Sequence, residues 1–468
     1  MEPTYVRPDL AIPASWPVGD PYLAQAEVGL PVLSYKQVFQ DPRLQTLIAE
    51  ALANNRNLMI AASNVAAARE QYRIQRAQLL PTVGASAGAT ASGNGKGDVG
   101  ARYDVGASVP SFELDLFGRV RSLTHSQLER YFATEAGARA TRLTIVSEVV
   151  SGWLEYAADS SLRLIAEQTA KTAAESVRIT RLRLEGGIAP RTDLTQAEQI
   201  LSIAQADVAR QRTAVAQDLN RLQLVVGAPI APTLLSRSID DAFGKIVPVP
   251  AGLESYVLLR RPDVIQAEYD LRAANAQIGA ARAALFPRIW LTGLLGFASS
   301  ALLKLFTGGA FGWSAGADAS YTIFQSGAGH ANVRLTQAQR NAALASYQLT
   351  VQTAFREVAD ALARRGTMND EIGARERQVA ATAETYLLTE HRYGAGIAPY
   401  LNVLAAQQSY YSAQQAMVQT KLIAATNLVD IYQTIGGDGS LQGTPVCEPL
   451  PGDQTRAATS PFCTVGKT

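Results

Sequence analysis

The 468-residue chain has only two cysteines, three histidines and four methionines. Two cysteines exclude a multi-disulfide scaffold and a cysteine-rich zinc protein. His125, His330 and His391 show no metal-ligand spacing to one another, and so few methionines argue against a thioether path for soft metal ions. Lysine and arginine (42) nearly balance aspartate and glutamate (41), so the basic excess expected of a nucleic-acid binder is missing. Charged residues, at 18 %, fall below the usual quarter. No apolar run is long enough for a membrane-spanning helix. The best candidate, Trp290 to Phe306, is shorter than ~20 residues and contains Gly293, Gly296 and Lys304. The start, Met-Glu-Pro-Thr-Tyr, lacks the basic and apolar regions of a secretory leader. It is expected to belong to a cytosolic protein or to a mature form without its leader.

Motifs for catalysis are also sparse. Gly93-Asn94-Gly95-Lys96 lacks the glycine spacing and the hydroxyl residue of a phosphate loop. Glu113 and Asp115 are two residues apart with no histidine nearby, so a structural or lining role is expected rather than acid/base work. The chain is expected not to be an enzyme and to carry no cofactor or metal.

What is present is long helix. Prolines crowd residues 3–42, 229–262 and 445–461, but none occurs from Ser111 to Ala189 or from Arg288 to Ala398. Such stretches, rich in Ala, Gln, Arg, Glu and Leu, predict helices near 119–185 and 329–394, each about 100 Å long. Shorter helices are predicted over 42–80, where Asp41 caps and Pro42 opens the first turn, and over 262–286, 190–226 and 399–435. Leu143, Val146, Val150, Trp153, Ala157 and Leu164 form a narrow 3–4-spaced seam, as do Leu344, Tyr347, Val351, Ala354, Val358 and Leu362. Both predict coiled-coil-like side-by-side packing.

The pattern occurs twice. At an offset of 206, Leu52 matches Leu258, Ala67 Ala273, Gln71 Gln277, Arg76 Arg282 and Pro81 Pro287. At 209, Arg183 matches Arg392, Gly187-Ile188-Ala189-Pro190 matches Gly396-Ile397-Ala398-Pro399, and Gly227 matches Gly436. A period near 200 excludes a short-repeat solenoid and predicts two equivalent halves. The expected organisation is an N-terminal extended segment (1–41), a first repeat (42–226), a linker (227–261), a second repeat (262–435) and a C-terminal tail (436–468).

Within each half lies a segment of different texture. Residues 82–92 and 102–114, then 288–298 and 311–324, alternate apolar residues with small or polar ones. Period two predicts strands. Segments of about ten residues with one apolar face match the signature of a transmembrane β-barrel, with Tyr103, Trp290, Trp313, Tyr321 and Phe324 as candidate interfacial aromatics. Two soluble hairpins on a core are the competing reading. Four strands cannot close a barrel, and an open edge is not tolerated in lipid, so several chains are expected to pool their strands.

Three motifs add a resemblance. Phe112 to Arg119 (FELDLFGR) resembles the junction motif of the TolC-like outer-membrane efflux factors. Leu258 to Val264 (LLRRPDV) resembles the signature opening the second repeat in the OprM and NodT branch. Pro3 to Pro8 (PTYVRP) looks like the segment just after the acylated cysteine of that lipoprotein branch. The resemblance implies an α+β membrane protein: a homotrimer in the bacterial outer membrane with a twelve-stranded β-barrel, four strands per chain. A periplasmic α-helical barrel with a mixed equatorial belt continues it. It further implies a passive exit duct for drugs or other small molecules, partnered by a periplasmic adaptor and an inner-membrane resistance-nodulation-division pump.

The same resemblance assigns roles to residues. The hairpin tips, with Gly186, Gly187, Pro190, Gly394, Gly396 and Pro399, would meet the adaptor. The periplasmic gate would involve Leu401, with Tyr400 and Leu404 near it and Asp193 at the other tip. Relatives carry an acidic and a basic residue where this chain has Ala405 and Gln408, which favours an uncharged gate. An N-terminal lipid is expected on a cysteine absent from this chain. In an oxidising periplasm, Cys447 and Cys463 are expected to pair. The alternatives are a duct for type I protein secretion and, outside the family, a soluble coiled-coil scaffold.

Overall fold

The computed structural model describes residues 1–9, 12–13, 15–19, 22, 34–93, 99–247 and 255–436. Cys447, Cys463 and most of the expected tail lie outside these residues. In chain order the regular elements are α1 (Tyr35–Val38), α2 (Pro42–Asn54), α3 (Arg56–Ala77), β1 (Gly84–Gly93), β2 (Val99–Glu113), α4 (Arg119–Glu185), α5 (Arg191–Val226), α6 (Ile239–Phe243), α7 (Pro262–Ala283), β3 (Arg288–Ser299), β4 (Phe311–Ser320), α8 (Ala328–Gly394) and α9 (Tyr400–Ile435). The helices recur at matched lengths: 22 residues for α3 and α7, 67 for α4 and α8, 36 for α5 and α9. No described helix is long and apolar enough to cross a membrane, and the apolar run from Trp290 is mostly strand β3.

The helix expected over 42–80 is two helices. Asn55 ends α2 with extended backbone. Its Oδ1 accepts from the backbone N–H groups of Asn57 and Leu58, capping α3, while its Nδ2 donates to Val225 O. An asparagine that satisfies the free ends of the backbone in this way favours a break over a continuous turn.

The chain divides into two compact units, 1–10 with 62–137 and 265–350, and 11–61 with 138–264 and 351–468. The first holds an antiparallel sheet in the order β1-β2-β3-β4. Each half contributes a hairpin, and β2 joins β3 with Val105 opposite Phe297 and Ala107 opposite Leu295. The register slips between Val109 and Phe112, where Pro110 has no N–H to give the ladder. Gly106 lies opposite Gly296; a Cβ on either would meet the facing backbone at 2.7 or 2.5 Å.

In the same unit, residues 1–7 lie along α7. Arg7 pairs with Glu268, Tyr5 donates to Glu268 Oε1, Asn275 Nδ2 donates to Pro3 O, and Arg282 donates to Met1 O. His125 stands between Glu2 and Glu129, at 2.9 and 3.1 Å. These contacts raise its pKa to about 9.

The second unit contains the larger hydrophobic core. Val146, Val149, Val150, Trp153 and Leu154 of α4 pack with Leu44, Leu47 and Ile48 of α2, Leu222 of α5, Ile239 of α6 and Val429 of α9. Trp153 is fully buried and donates its indole N–H to Leu234 O at 3.0 Å. The segments flanking the helices close around this core, with Phe39 bridged to Ile246 and Gln40 N–H donating to Lys245 O.

Candidate pore face and hairpin tips

Cross-strand register sorts the sheet's side chains into two faces. Ala85, Ala87, Ala89 and Ala91 of β1 share a face with Tyr103, Val105, Ala107 and Val109 of β2. Ile289, Leu291, Leu295 and Phe297 of β3 and Phe311, Trp313, Ala315, Ala317 and Ala319 of β4 complete it. The other face carries Ser86, Gly88, Thr90, Asp104, Ser108, Thr292, Ser314, Gly316, Asp318 and Ser320. The result is one largely apolar face and one mostly small, polar face, which also carries Arg102 and, opposite Ser108 and Ser314, Leu294, across four strands with β1 and β4 as edges. One aromatic, Trp290, departs from the face expected of a girdle residue. Trp290 pairs with Asp318 on the polar face, and β4 ends at Ser320, before Tyr321 and Phe324. The tight Ser326-Gly327 backbone follows, with positive φ at both residues, and α8 takes over at Ala328.

The FELDLFGR segment is a strand-to-helix joint. Arg119 donates to both Glu113 oxygens, at 2.8 and 2.6 Å. Asp115 accepts from the Arg121 backbone N–H at 2.8 Å, and Phe117 stacks on Phe286 with centroids 4.7 Å apart. Each carboxylate is thus tied to an arginine six residues on and serves structure. LLRRPDV has a comparable role in the second unit. Arg261, mostly buried, donates to Thr434 O and pairs with Asp263 and Glu357, clamping the end of α9 to the start of α7.

The hairpin tips are built alike. In the first, Gly187 has φ +71, its N–H donates to Leu184 O, and Ile188 N–H donates to Arg183 O. In the second, Gly396 has φ +76, its N–H donates to Tyr393 O, and Ile397 N–H donates to Arg392 O. Both are Schellman endings, in which a left-handed residue returns free carbonyls to hydrogen bonding. Gly186 and Gly394 have ordinary φ. Pro190 and Pro399 are the extended residues flanking α5 and α9, which begin one residue later.

The four candidate gate residues separate. Tyr400 and Leu404 are 3 % and 8 % exposed, in an intrachain cluster with Val177, Ala197 and Val403. Leu401, one position round the helix, is 59 % exposed. It shares an exposed stripe with Ala405 and Gln408, which stand at i+4 and i+7 from it. Asp193 is half-buried in the first turn of α5, and burial raises its carboxyl pKa.

The tip also holds a contact between the halves that sequence reasoning missed. The Arg183 guanidinium donates to Tyr393 O and Gly394 O at 3.3 and 3.0 Å and lies 4.6 Å from the Tyr393 ring centroid. Its signal was the match of Arg183 with Arg392, which located the repeat without revealing a bond.

A two-faced sheet of barrel-strand length in one chain with paired long helical hairpins defines a class, the outer-membrane channels with a helical extension. The family model described as "Outer membrane efflux protein" matches residues 47–228 and 253–437. The chain is 39 % identical over 444 residues to a probable efflux pump outer membrane protein, TtgC, of Pseudomonas putida, covering 93 % of this chain and 92 % of the relative. It superposes on a membrane protein from Pseudomonas aeruginosa at TM-score 0.87 and 36 % identity, covering 93 % and 100 % of the two chains. On the open-state MtrE outer membrane channel of Neisseria gonorrhoeae the TM-score is 0.85 at 34 % identity, covering 94 % and 98 %. The chain belongs to the outer membrane efflux protein family. It is an outer-membrane component of an efflux system, and its family is one of channels rather than enzymes. A soluble scaffold is thereby set aside.

Proposed function

We propose that three copies of this chain close a twelve-stranded barrel and form the passive exit duct of a tripartite pump for drugs or other small molecules. The observation that carries this reading is the sheet: one apolar face, one small polar face and two open edges. Strands of ten residues at about 3.3 Å each, tilted by about 40°, cover roughly 25 Å of bilayer. The apolar face would meet lipid and the polar face the lumen. Edges β1 and β4 would pair between neighbours, because unpaired N–H and C=O groups are costly in hydrocarbon.

A periplasmic adaptor would seat on the two Schellman tips, and an inner-membrane pump would supply the energy. Three Leu401 side chains would form the narrowest, uncharged ring of the closed state. Tyr400 and Leu404 would support it by packing inside each chain. The N-terminal segment supports a lipid anchor as well, since it runs along α7 so that Met1 lies at Arg282, near the start of β3. Labelling the native precursor with palmitate tests that part. The duct reading is tested in the source bacterium by deleting the gene and following efflux of a fluorescent pump substrate. Loss of efflux, restored by the full chain, is expected; efflux unaffected by the deletion contradicts it.

A further inference from the structure

The turn that joins β3 to β4 belongs to the apolar run from Trp290 to Phe306. All four strand-to-helix joints lie at one end of the sheet, so this turn lies at the opposite end. It is held by its own hydrogen bonds. A 3-10 turn covers Leu302–Lys304, the N–H and Oγ1 of Thr307 both donate to Lys304 O, and Ala310 N–H donates to Thr307 O. Leu305 is buried, yet Leu303 is 95 % exposed, and Leu302 and Phe306 are exposed beside it. Large apolar side chains grouped on a surface mark a place where something apolar covers them. Between Arg288 and Asp318 the single charged residue is Lys304, which is exposed and has no side-chain partner among the described residues.

Phe306 fixes the direction of the turn. Its ring centroid lies 5.5 Å from that of Phe297, which lies 5.5 Å from that of Phe311. Register puts Phe297 and Phe311 on the apolar face, so the turn leans onto that side of the sheet and not over the polar one. In the duct reading, on which this inference rests, the apolar face meets lipid and this end is outermost. The outer leaflet there is lipid A, a glycolipid whose acyl chains lie beneath phosphates on a sugar headgroup. We infer that the turn is a hook for this glycolipid: Leu302, Leu303 and Phe306 enter the acyl layer, and the Lys304 ammonium pairs with a lipid A phosphate. The layering matches, because a lysine stem lies along apolar surface while its charge reaches the headgroups. The pair with phosphate is a charge-assisted hydrogen bond.

Two measurements on the full chain test the hook. Leu303→Cys and, separately, Ala315→Cys on the apolar face of β4 are made in protein carrying Cys447→Ser and Cys463→Ser. Each is labelled with bimane and reconstituted in phosphatidylcholine vesicles containing lipid A. Nitroxide-labelled acyl chains are expected to quench both positions. Quenching at Ala315 alone overturns the hook and leaves the duct reading standing. At Leu303, quenching by aqueous iodide would then mean that the turn faces water, and protection from both quenchers that a neighbouring chain covers it. Absence of lipid quenching at both positions overturns hook and barrel together. In the second measurement, the detergent-extracted protein is titrated with lipid A and the bound lipid counted by native mass spectrometry. One lipid A per chain is expected, with occupancy reduced several-fold by Lys304→Glu and retained by Lys304→Arg. Equal occupancy in Lys304→Glu, or equal uptake of dephosphorylated lipid A, overturns the phosphate contact. Uptake of phosphatidylglycerol as strong as that of lipid A overturns the assignment to the glycolipid.

Discussion

Trp153 in the helical unit is covered completely by its own chain, whereas every residue of β4 is exposed. The helical unit buries aliphatic side chains from seven helices in one cluster. Among the described residues the sheet has no such cluster, and its ladder hydrogen bonds tie its strands together. The difference separates two sources of stability. One unit folds by burial within a single chain; in the proposed trimer the other would gain its stabilisation from lipid on one face and from neighbouring strands at its edges.

Substitutions sharpen this contrast. Trp153→Ala leaves a cavity among close-packed helices and is expected to cost about 3–5 kcal/mol. Thermal unfolding followed by helical circular dichroism checks it, and a shift of under a degree would mean that the core is not where stability lies. In the sheet, Leu295→Arg on the apolar face is expected to cost about 2–4 kcal/mol near the bilayer midplane and to reduce barrel assembly in lipid vesicles. Ser314→Arg, on the polar face, should assemble normally and alter only conductance. Equal assembly defects in the two variants would show that the faces are not divided between lipid and lumen.

Smaller effects are expected at the gate and within α4. Leu401→Ala should raise closed-state conductance in planar bilayers without changing assembly, because this side chain is exposed within its own chain. Tyr400→Phe should leave conductance unchanged. Asp159 faces Asp218, Glu155 and Arg221; burial and then the Asp218 charge push its pKa up to about 6. Ionising it therefore destabilises the fold progressively as pH rises from about 4 to about 6, the range between its unfolded and folded pKa values. Asp159→Asn should raise the melting temperature at pH 7.5 and leave it unchanged near pH 3.5. A gain at both pH values would show that packing, not charge, is responsible.

Much of this was legible in sequence because helix and strand periods are local. Proline exclusion predicted the span of α4, and alternation located all four strands. What required three dimensions was which residues share a surface. Tyr400, Leu401 and Leu404 are neighbours in sequence, but successive residues turn by about 100°, so the first and last join the core while Leu401 does not. Trp290 has the composition of a girdle residue, yet register puts it opposite Asp318. Asn55 broke a predicted helix through a bond to Val225, 170 residues away, and no local pattern encodes such a partner. The acids of FELDLFGR were read as structural, but their arginine partners emerged only with the turn at Gly118, whose φ is +80.

The central claim is that one chain supplies an incomplete barrel. Its most direct test is the mass of the particle extracted in mild detergent, measured by native mass spectrometry. A three-chain barrel gives a single species of three 49.9-kDa chains, stable on dilution and lost when Leu295→Arg prevents barrel closure. A stable monomer or dimer of the unaltered protein would contradict it.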